Sequence, residues 1–167
     1  MHEGIELVRQ KIMDRDGIRL TAKKWIAEGH KLVFTNGCFD LLHFGHLHYL
    51  SQARDLGDKL IVGINSAASV QRLKGPGRPI NDETTRFFLL AALQFVDAVV
   101  PFEEDTPLDL IRAVQPHILV KGGDWKPEQI VGSDLVLEAG GQVLSLPFVE
   151  GYSTTNIEQT ILTRHSS

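Results

Sequence analysis

Apolar residues along the chain fall into short continuous runs separated by longer amphipathic stretches. The runs lie at Leu32–Thr35, Leu60–Asn65, Ala98–Phe102, Ile118–Lys121 and Val143–Pro147. Each is rich in Val, Ile, Leu or Phe and has no alternation of apolar and polar residues. This pattern is typical of parallel strands whose two faces are both covered.

The stretches between these runs predict helices. They lie at Thr21–Glu28, His46–Leu56, Thr84–Gln94, Pro107–Val114, within Pro127–Ala139, and at Ser153–Thr163. Gly29, Gly57 and the Gly140-Gly141 pair mark helix ends, and KGPGRP at Lys74–Pro79 predicts a mobile loop. Strands that alternate with helices predict an α/β fold, here a Rossmann-like doubly wound parallel sheet in one three-layer domain. We expect this domain at residues 30–167, preceded by an extension with a short helix at 1–29.

Composition narrows the class of protein. The 167 residues fit one domain, and 43% of them are hydrophobic, enough for a sizeable core. A net charge of −4 argues against a general nucleic-acid binder. The single cysteine, Cys38, excludes an internal disulfide and fits a reducing compartment. The charged N-terminus is no secretory signal, and the longest apolar stretch, 87–102, is shorter than the roughly 18 residues of a membrane span. A cytoplasmic protein without a membrane partner is expected.

The candidate chemistry follows the first predicted strand, in TNGCFDLLHFGHLHYL at Thr35–Leu50. In doubly wound sheets ligands bind beyond the carboxyl ends of the strands. His43 and His46 are three apart and share one face of a helical turn, and Gly45 between them lets a ligand approach the backbone. Two imidazoles at a helix start suit a polyphosphate. Two alternatives stay open: structural histidines, or a metal site made by Asp40 with the two histidines.

The segment GCFDLLHFGH resembles the HxGH signature of the nucleotidyltransferase superfamily that includes glycerol-3-phosphate cytidylyltransferase and pantetheine-phosphate adenylyltransferase. Four further pieces follow in order: RLKGPGRPIN at 72–81, QFVDAVVPFEEDTP at 94–107, LVKGGDW at 119–125 and EGYSTTNI at 150–157. With them, residues 30–160 resemble the adenylyltransferases of ADP-heptose synthesis. In many bacteria that domain is fused behind a sugar kinase, and the short segment before residue 30 makes us expect the free-standing form.

The resemblance implies transfer of adenylyl from ATP to D-glycero-β-D-manno-heptose 1-phosphate, which gives pyrophosphate and ADP-heptose for the lipopolysaccharide core. A sugar-phosphate oxygen would attack the α-phosphorus, so the protein has to align two anions and neutralise charge rather than supply a nucleophile. The cofactor expected is Mg²⁺, held mainly by ATP phosphates, with no metal ligand from the protein.

The resemblance also implies roles for individual residues. The expected catalytic residues are His43, His46 and Lys74, the last a mobile cation, although an ordinary solvated lysine is the alternative. The expected nucleotide-binding residues are Thr35, Asn36, Gly37, Cys38, Phe39, Gly45, Arg86, Lys121, Gly123, Asp124, Ser153, Thr154 and Thr155. The expected acceptor-binding residues are Asp40, Asn65, Lys74 and Trp125. Asp40 either orients Lys74 or binds the acceptor. Ser153–Thr155 would also cap a helix, and Arg72 and Arg78 are weaker phosphate-binding candidates.

Other functions stay open. Phe148 stands where cytidylyltransferases of the superfamily usually carry an arginine, which favours ATP over CTP. A cytidylyltransferase acting on a polyol phosphate such as glycerol 3-phosphate, or a non-catalytic nucleotide sensor, are the alternatives. The chain has no G-x-G-x-x-G after a strand and no G-K-[ST], which argues against a dinucleotide oxidoreductase and a P-loop kinase. A homodimer is expected through Phe95, Val96, Ala98 and Val99, unless these are core residues.

Overall fold

A five-stranded parallel sheet forms the centre of the computed structural model, which describes residues 3–165. Its strands are β1 Leu32–Gly37, β2 Lys59–Asn65, β3 Ala98–Phe102, β4 Ile118–Gly122 and β5 Gln142–Leu146. They lie in the order β3-β2-β1-β4-β5, and every neighbouring pair is parallel. The predicted Rossmann-like α/β fold is confirmed, and all five predicted strands are present.

The helices agree less closely with the prediction. They are α1 Glu3–Arg9, α2 Arg15–Ala27, α3 Phe44–Arg54, α4 Ala67–Lys74, α5 Glu83–Ala91, α6 Leu108–Val114, α7 Ser133–Glu138 and α8 Thr154–His165, with a 3₁₀ turn at Pro127–Gln129. The sequence did not predict α1 or α4. Helix α2 starts earlier than predicted because the Asp14 carboxylate accepts a hydrogen bond from the Gly17 amide at 2.7 Å. Helix α4 is capped in the same way by Ser66, so Lys74 ends a helix instead of opening a loop.

The sheet separates two buried clusters, and each defines one face. The α2–α6 face carries Phe34, Ile61 and Leu119 against helices α2, α6 and α7, and includes Ile18 and Ala22 of α2. The α3–α5 face carries Val33, Val62 and Val120 against helices α3 and α5. Residues on one strand alternate between these faces, as the period of two requires. The segment before residue 30 therefore contributes directly to the core.

The direction of chain progression reverses between β1 and β4. Strands β2 and β3 lie on one side of β1, whereas β4 and β5 lie on the other. The loops that leave β1 and β4 consequently diverge and open a crevice at the carboxyl edge of the sheet. The crevice is thus fixed by strand order before any side chain is considered.

The segment expected to form a subunit contact lies inside the core. Val96, Ala98 and Val99 are at most 1% exposed, and Phe95 packs against the cluster on the α3–α5 face. Val96, Ala98 and Val99 are therefore core residues, which is the alternative that the sequence left open, whereas Phe95 is only partly buried.

Gly57 follows α3 and lies closely packed against the start of β1. A Cβ there would lie 2.7 Å from the Lys31 carbonyl oxygen and 2.8 Å from Val33 Cγ2. We expect Gly57→Ala to lower the free energy of unfolding by about 1–3 kcal/mol, because the backbone of β1 cannot yield cheaply. Urea unfolding measures this. Gly4→Ala is the matched control, since nothing lies within 4 Å of a Cβ at that position. Equal stability of wild type and Gly57→Ala would contradict the prediction.

Candidate active site

A cavity of about 650 Å³ occupies the crevice at the carboxyl edge of the sheet. Twelve of the predicted site residues line it: Asn36, Gly37, Cys38, Phe39, Asp40, His46, Asn65, Lys74, Lys121, Trp125, Thr154 and Thr155. Another cavity, of about 730 Å³, lies at the opposite edge among Ile26, Ile111, Leu135 and their neighbours, and none of the predicted site residues line it. The chemistry is concentrated at the carboxyl edge, so the cavity there is the candidate active site.

His43 and His46 form a stacked pair at the start of α3. His43 is the N-cap residue in extended conformation, and its carbonyl accepts a hydrogen bond from the His46 amide at 2.9 Å. The ring centroids lie 3.8 Å apart with an interplanar angle of 23°, and Phe39 contacts the His46 ring by its edge. The Nδ1 atoms of both rings are buried without a hydrogen-bond partner within residues 3–165. Buried polar atoms are rarely left so, which argues for a binding role rather than a structural one.

The two imidazoles are neutral near pH 7. Burial lowers the pKa of His43, and burial lowers the pKa of His46 to about 4, with His43 and Lys74 acting in the same direction. Neutral rings act as N–H donors toward a phosphate oxygen rather than as fixed cations.

Gly45 allows close packing around the histidine pair. A Cβ at Gly45 would lie 3.0 Å from His43 Nδ1 and 3.1 Å from the Cβ of Tyr152. Gly45 itself is buried and is not among the residues that line the cavity, so its predicted nucleotide contact stays a prediction. Its missing side chain instead lets the His43 ring and the segment before α8 approach helix α3.

Asp40 anchors the loop that follows α4. Its carboxylate is 6% exposed and accepts hydrogen bonds from the Ile80 and Asn81 amides at 2.8 and 2.9 Å and from Arg78 Nη1 at 3.0 Å. Arg78 also pairs with Glu158 on α8. Burial alone would raise the pKa of Asp40, but these donors outweigh it and hold that pKa below its ordinary value. The loop predicted to be mobile is therefore tied down at its far end.

These contacts give Asp40 a structural role that the sequence did not predict. Its carboxylate is paired with the loop and makes no contact with Lys74, so neither of its predicted roles gains support. The alternative metal site with His43 and His46 is not formed either. Within residues 3–165 no group of three or more His, Cys, Asp or Glu side chains is arranged to hold a metal ion.

Arg86 and Thr35 support the site without reaching it. Arg86 has no exposed surface, and its guanidinium donates to the carbonyls of Cys38 and Asn65, at the carboxyl ends of β1 and β2. Thr35 is equally buried, and its hydroxyl is hydrogen-bonded to the Tyr49 hydroxyl. Neither side chain is exposed to the cavity, so their predicted nucleotide-binding roles gain no support. The sequence shows the residue types but not that both side chains point into the interior.

The loop after β4 presents an aromatic surface to the cavity. The Trp125 indole donates to the Gly122 carbonyl at 3.0 Å. Phe148 is 68% exposed and covers Gly122 and Gly123, where a Cβ would lie 2.8 and 3.0 Å from the ring. Gly123, at φ +109°, is buried beneath these rings. Asp124 is exposed, does not line the cavity and makes no hydrogen bond or ion pair within residues 3–165, so its predicted role gains no support.

Helix α8 begins at the rim of the cavity. The Ser153 hydroxyl accepts a hydrogen bond from the Asn156 amide at 3.0 Å and so caps the helix, whereas Thr154 and Thr155 line the cavity. The start of α8 and the start of α3 therefore face the same space, with Phe44 of α3 packed 5.1 Å from Tyr152 between ring centroids.

Two lysines face this space without an acidic partner. Lys74 is exposed at the end of α4, and Lys121 is half-buried at the end of β4. Within residues 3–165 neither makes an ion pair or a hydrogen bond from its ammonium. Burial raises the pKa of the neighbouring Cys38 thiol, which therefore stays neutral and is no nucleophile. The Cys38 sulfur contacts the Asn65 amide oxygen at 3.9 Å, and Asn65 in turn donates to Ser69 at 3.0 Å.

Some lining residues escaped the sequence analysis. Thr106 follows β3, and Gln129, Ile130 and Val131 follow β4. None carries a recognisable pattern, since a threonine before a proline and a glutamine in a loop are common on any surface. Arg78 was noted only as a weak phosphate ligand, and its pairing with two carboxylates depends on contacts distant in sequence.

Comparison with known proteins gives concordant matches. Residues 34–160 match the family described as cytidylyltransferase-like. The bifunctional protein HldE of Trichlorobacter lovleyi is 56% identical over 156 residues, which cover 93% of this chain and 32% of that protein. The bifunctional protein HldE of Vibrio cholerae is 54% identical over 150 residues, with coverage of 90% and 32%. This chain thus spans about a third of the length of these curated relatives.

Solved structures agree on the fold. A lipopolysaccharide core biosynthesis protein from Thermoplasma volcanium superposes with a TM-score of 0.58 at 29% identity, covering 75% of this chain and all of that one. A pantoate-β-alanine ligase from Francisella tularensis gives a TM-score of 0.57 at 16% identity, covering 89% of this chain and 76% of that one, which is a likeness of fold alone. The match over residues 34–160, joined to the histidine pair and the parallel sheet, shows that this chain belongs to the cytidylyltransferase-like family of nucleotidyltransferases.

Proposed function

We propose that the protein transfers adenylyl from ATP to D-glycero-β-D-manno-heptose 1-phosphate, giving pyrophosphate and ADP-heptose for the lipopolysaccharide core. The observation that carries the proposal is the stacked pair of neutral imidazoles, with unpartnered nitrogens, where two helices begin at one cavity. The identity of 54–56% to bifunctional HldE proteins, together with the resemblance of residues 30–160 to adenylyltransferases of ADP-heptose synthesis, supports the choice of acceptor and nucleotide.

The histidines and the two helix starts suit the leaving pyrophosphate. As an acceptor oxygen bonds to the α-phosphorus, the bond from that phosphorus to the bridging oxygen breaks and its electron pair leaves with pyrophosphate. Charge then builds on the β- and γ-phosphates. Imidazole N–H groups, the amides at the starts of α3 and α8, and the Lys74 ammonium would stabilise this charge. Because these donors gain strength as charge develops, they lower the barrier rather than merely tightening substrate binding.

The aromatic surface supports ATP as the donor. Phe148 offers a flat apolar ring and no hydrogen-bonding group, so it can pack against a purine but cannot read the carbonyl of cytosine. The Trp125 indole N–H is already engaged by the Gly122 carbonyl. Neither Phe148 nor Trp125 therefore favours CTP, and the alternative function as a cytidylyltransferase acting on glycerol 3-phosphate gains no support from this surface.

Mg²⁺ is proposed to arrive bound to ATP. The carboxylate nearest the histidines, Asp40, is committed to Arg78 and the Ile80 and Asn81 amides. A Mg²⁺ ion held by phosphate oxygens and water needs few protein ligands, which fits this donor set. The ion would neutralise phosphate charge, while the side chains orient the phosphates.

We place the reaction in the cytoplasm, where ATP and sugar phosphates are found. No helix within residues 3–165 is long and apolar enough to cross a membrane.

The histidine pair gives the first test of the chemistry. We expect His43→Ala and His46→Ala each to lower kcat by about 10²-fold or more, because each removes a donor to the charge that builds on the leaving group. Steady-state pyrophosphate release measures this. His48→Ala is the matched control, since that imidazole is exposed and packs on Phe44 instead of joining the histidine pair. Normal turnover in either variant would refute the catalytic assignment.

Substrate choice is tested by crossing ATP, CTP, GTP and UTP with heptose 1-phosphate, glycerol 3-phosphate and ethanolamine phosphate. Only ATP with the β-heptose 1-phosphate is expected to release pyrophosphate rapidly, because a site shaped for one pair leaves polar groups unpaired with others. Preference for CTP with glycerol 3-phosphate would establish the cytidylyltransferase instead. Tight ATP binding without release for any pair would establish a nucleotide sensor.

The homodimer stays a prediction, and the buried side chains of Val96, Ala98 and Val99 leave its contact surface to other residues. Exposed apolar side chains occur on α1 and α5, namely Ile5, Leu7 and Leu89. Sedimentation velocity at micromolar concentration should give a mass near twice that of the chain, and a monomer under those conditions would refute the prediction.

A further inference from the structure

We infer that the cavity has an acceptor lobe on the α2–α6 face of the sheet edge, where Lys121 and Asn36 bind the phosphate of the sugar phosphate. This assignment rests on the proposed function and gives it a location for the second substrate. It also moves both residues from the nucleotide, where the sequence placed them, to the acceptor.

The face is fixed by alternation along β4. Leu119 belongs to the cluster of the α2–α6 face and Val120 to that of the α3–α5 face. Lys121 therefore projects on the α2–α6 face. Gly122 returns to the other face, where its Cβ would meet Phe148 and Tyr49 of α3. Lys121 thus lies across the sheet edge from the helix that begins at the histidine pair.

Asn36 projects from β1 on the same face of the sheet as Lys121. Phe34 and Leu119 form the last pair in the register between β1 and β4, and both lie on the α2–α6 face. Asn36 and Lys121, each two residues further along its strand, therefore point to that face as well. The same face is indicated by Gly63, whose Cβ would lie 3.2 Å from Leu110 of α6 and 3.4 Å from the Asn36 Cβ. The side-chain amide of Asn36 makes no hydrogen bond within residues 3–165. An amide and an ammonium, both without a partner in that part of the chain, therefore line the same cavity from the same face.

The surrounding groups suit a polyol phosphate. Thr106 after β3 and Gln129 after β4 line the cavity and supply a hydroxyl and an amide, while Ile130 and Val131 form an apolar wall. These are the donors and acceptors that bind sugar hydroxyls. None of them was linked to the nucleotide by the sequence analysis.

The charge balance of the cavity calls for an anion at Lys121. Two carboxylates line the cavity, and both are paired: Asp40 with Arg78 at 3.0 Å and Asp105 with Arg72 at 3.0 Å. Burial lowers the pKa of Lys121, and the Lys74 ammonium acts in the same direction. A half-buried ammonium with a second cation nearby and no acidic partner gains most from an anionic ligand.

The location of the acceptor lobe also fits the geometry that adenylyl transfer requires. In-line displacement requires the attacking oxygen and the leaving pyrophosphate on opposite sides of the α-phosphorus. The histidine pair and the start of α8 lie on the α3 side, whereas Lys121 and Asn36 lie on the other side of the sheet edge. A phosphate held by Lys121 would therefore approach from the side opposite the leaving group, over Gly37 and Cys38.

The test compares Lys121→Met with Lys23→Met, which removes an exposed lysine of α2 with no ion pair within residues 3–165. Methionine keeps the length of the side chain and suits a half-buried position, and Lys121→Gln is the second variant. We expect the KM for heptose 1-phosphate to rise about 10- to 100-fold in both Lys121 variants, as loss of a charged hydrogen bond predicts, while the ATP Kd from calorimetry changes less than about twofold. Lys23→Met should match wild type in both.

A direct titration separates this inference from the proposed function. Heptose 1-phosphate is titrated into protein saturated with a non-hydrolysable ATP analogue. Binding by wild type that is lost in the Lys121 variants supports the acceptor lobe, even if no pyrophosphate is ever released and the proposed function fails. Normal turnover with an unchanged acceptor KM in the Lys121 variants overturns the lobe and leaves the function standing. A rise in ATP Kd with an unchanged acceptor KM returns Lys121 to the nucleotide, and absence of heptose 1-phosphate binding by wild type also overturns the lobe.

Discussion

Parallel pairing of the five strands is the constraint on which the rest of the structure depends. Parallel strands end at one edge, so every loop that leaves a carboxyl end converges there. The reversal between β1 and β4 then spreads two of these loops apart. Residues from the first strand, the fourth strand and the last helix can meet around a single cavity only because of this order. A reordered sheet with the same strands would scatter them.

Charge burial decides how the loops at this edge are held. Asp40 is nearly inaccessible, and an unpaired buried carboxylate would be costly. Its donors come from the loop after α4, so satisfying the carboxylate also positions that loop. Arg86 holds the carboxyl ends of β1 and β2 together in a similar way, because its buried guanidinium donates hydrogen bonds to one carbonyl at each end. Asp40 and Arg86, which the resemblance places at the ligand, thus hold the loops that surround the cavity. Because Lys74 ends helix α4, its backbone is fixed and only its side chain can move.

The sequence predicted the elements that depend on local patterns. The five apolar runs identified the strands, and the spacing of His43 and His46 around Gly45 identified the functional edge. It failed where tertiary contacts override local signals. The stretch before Lys74 has little apolar periodicity, and α4 forms because Ser66 caps it and Val70 is buried. Tertiary contacts and strand register decide that Arg86 points inward and on which face Lys121 projects. Neither can be deduced from local sequence patterns.

The pairing of Arg78 with Asp40 and Glu158 has a consequence for how the site is assembled. The three residues of this network lie in the segment after β1, the loop after α4 and the last helix, so the network forms only when these distant parts of the chain have come together. Helix α8 contributes no buried residue from Thr154 to Arg164, so it opens at a low cost in free energy. When α8 opens, Arg78 loses one of its two anchors and the rim of the cavity loosens with it. A ligand that bridges the starts of α3 and α8 would therefore complete the last stage of folding as it binds.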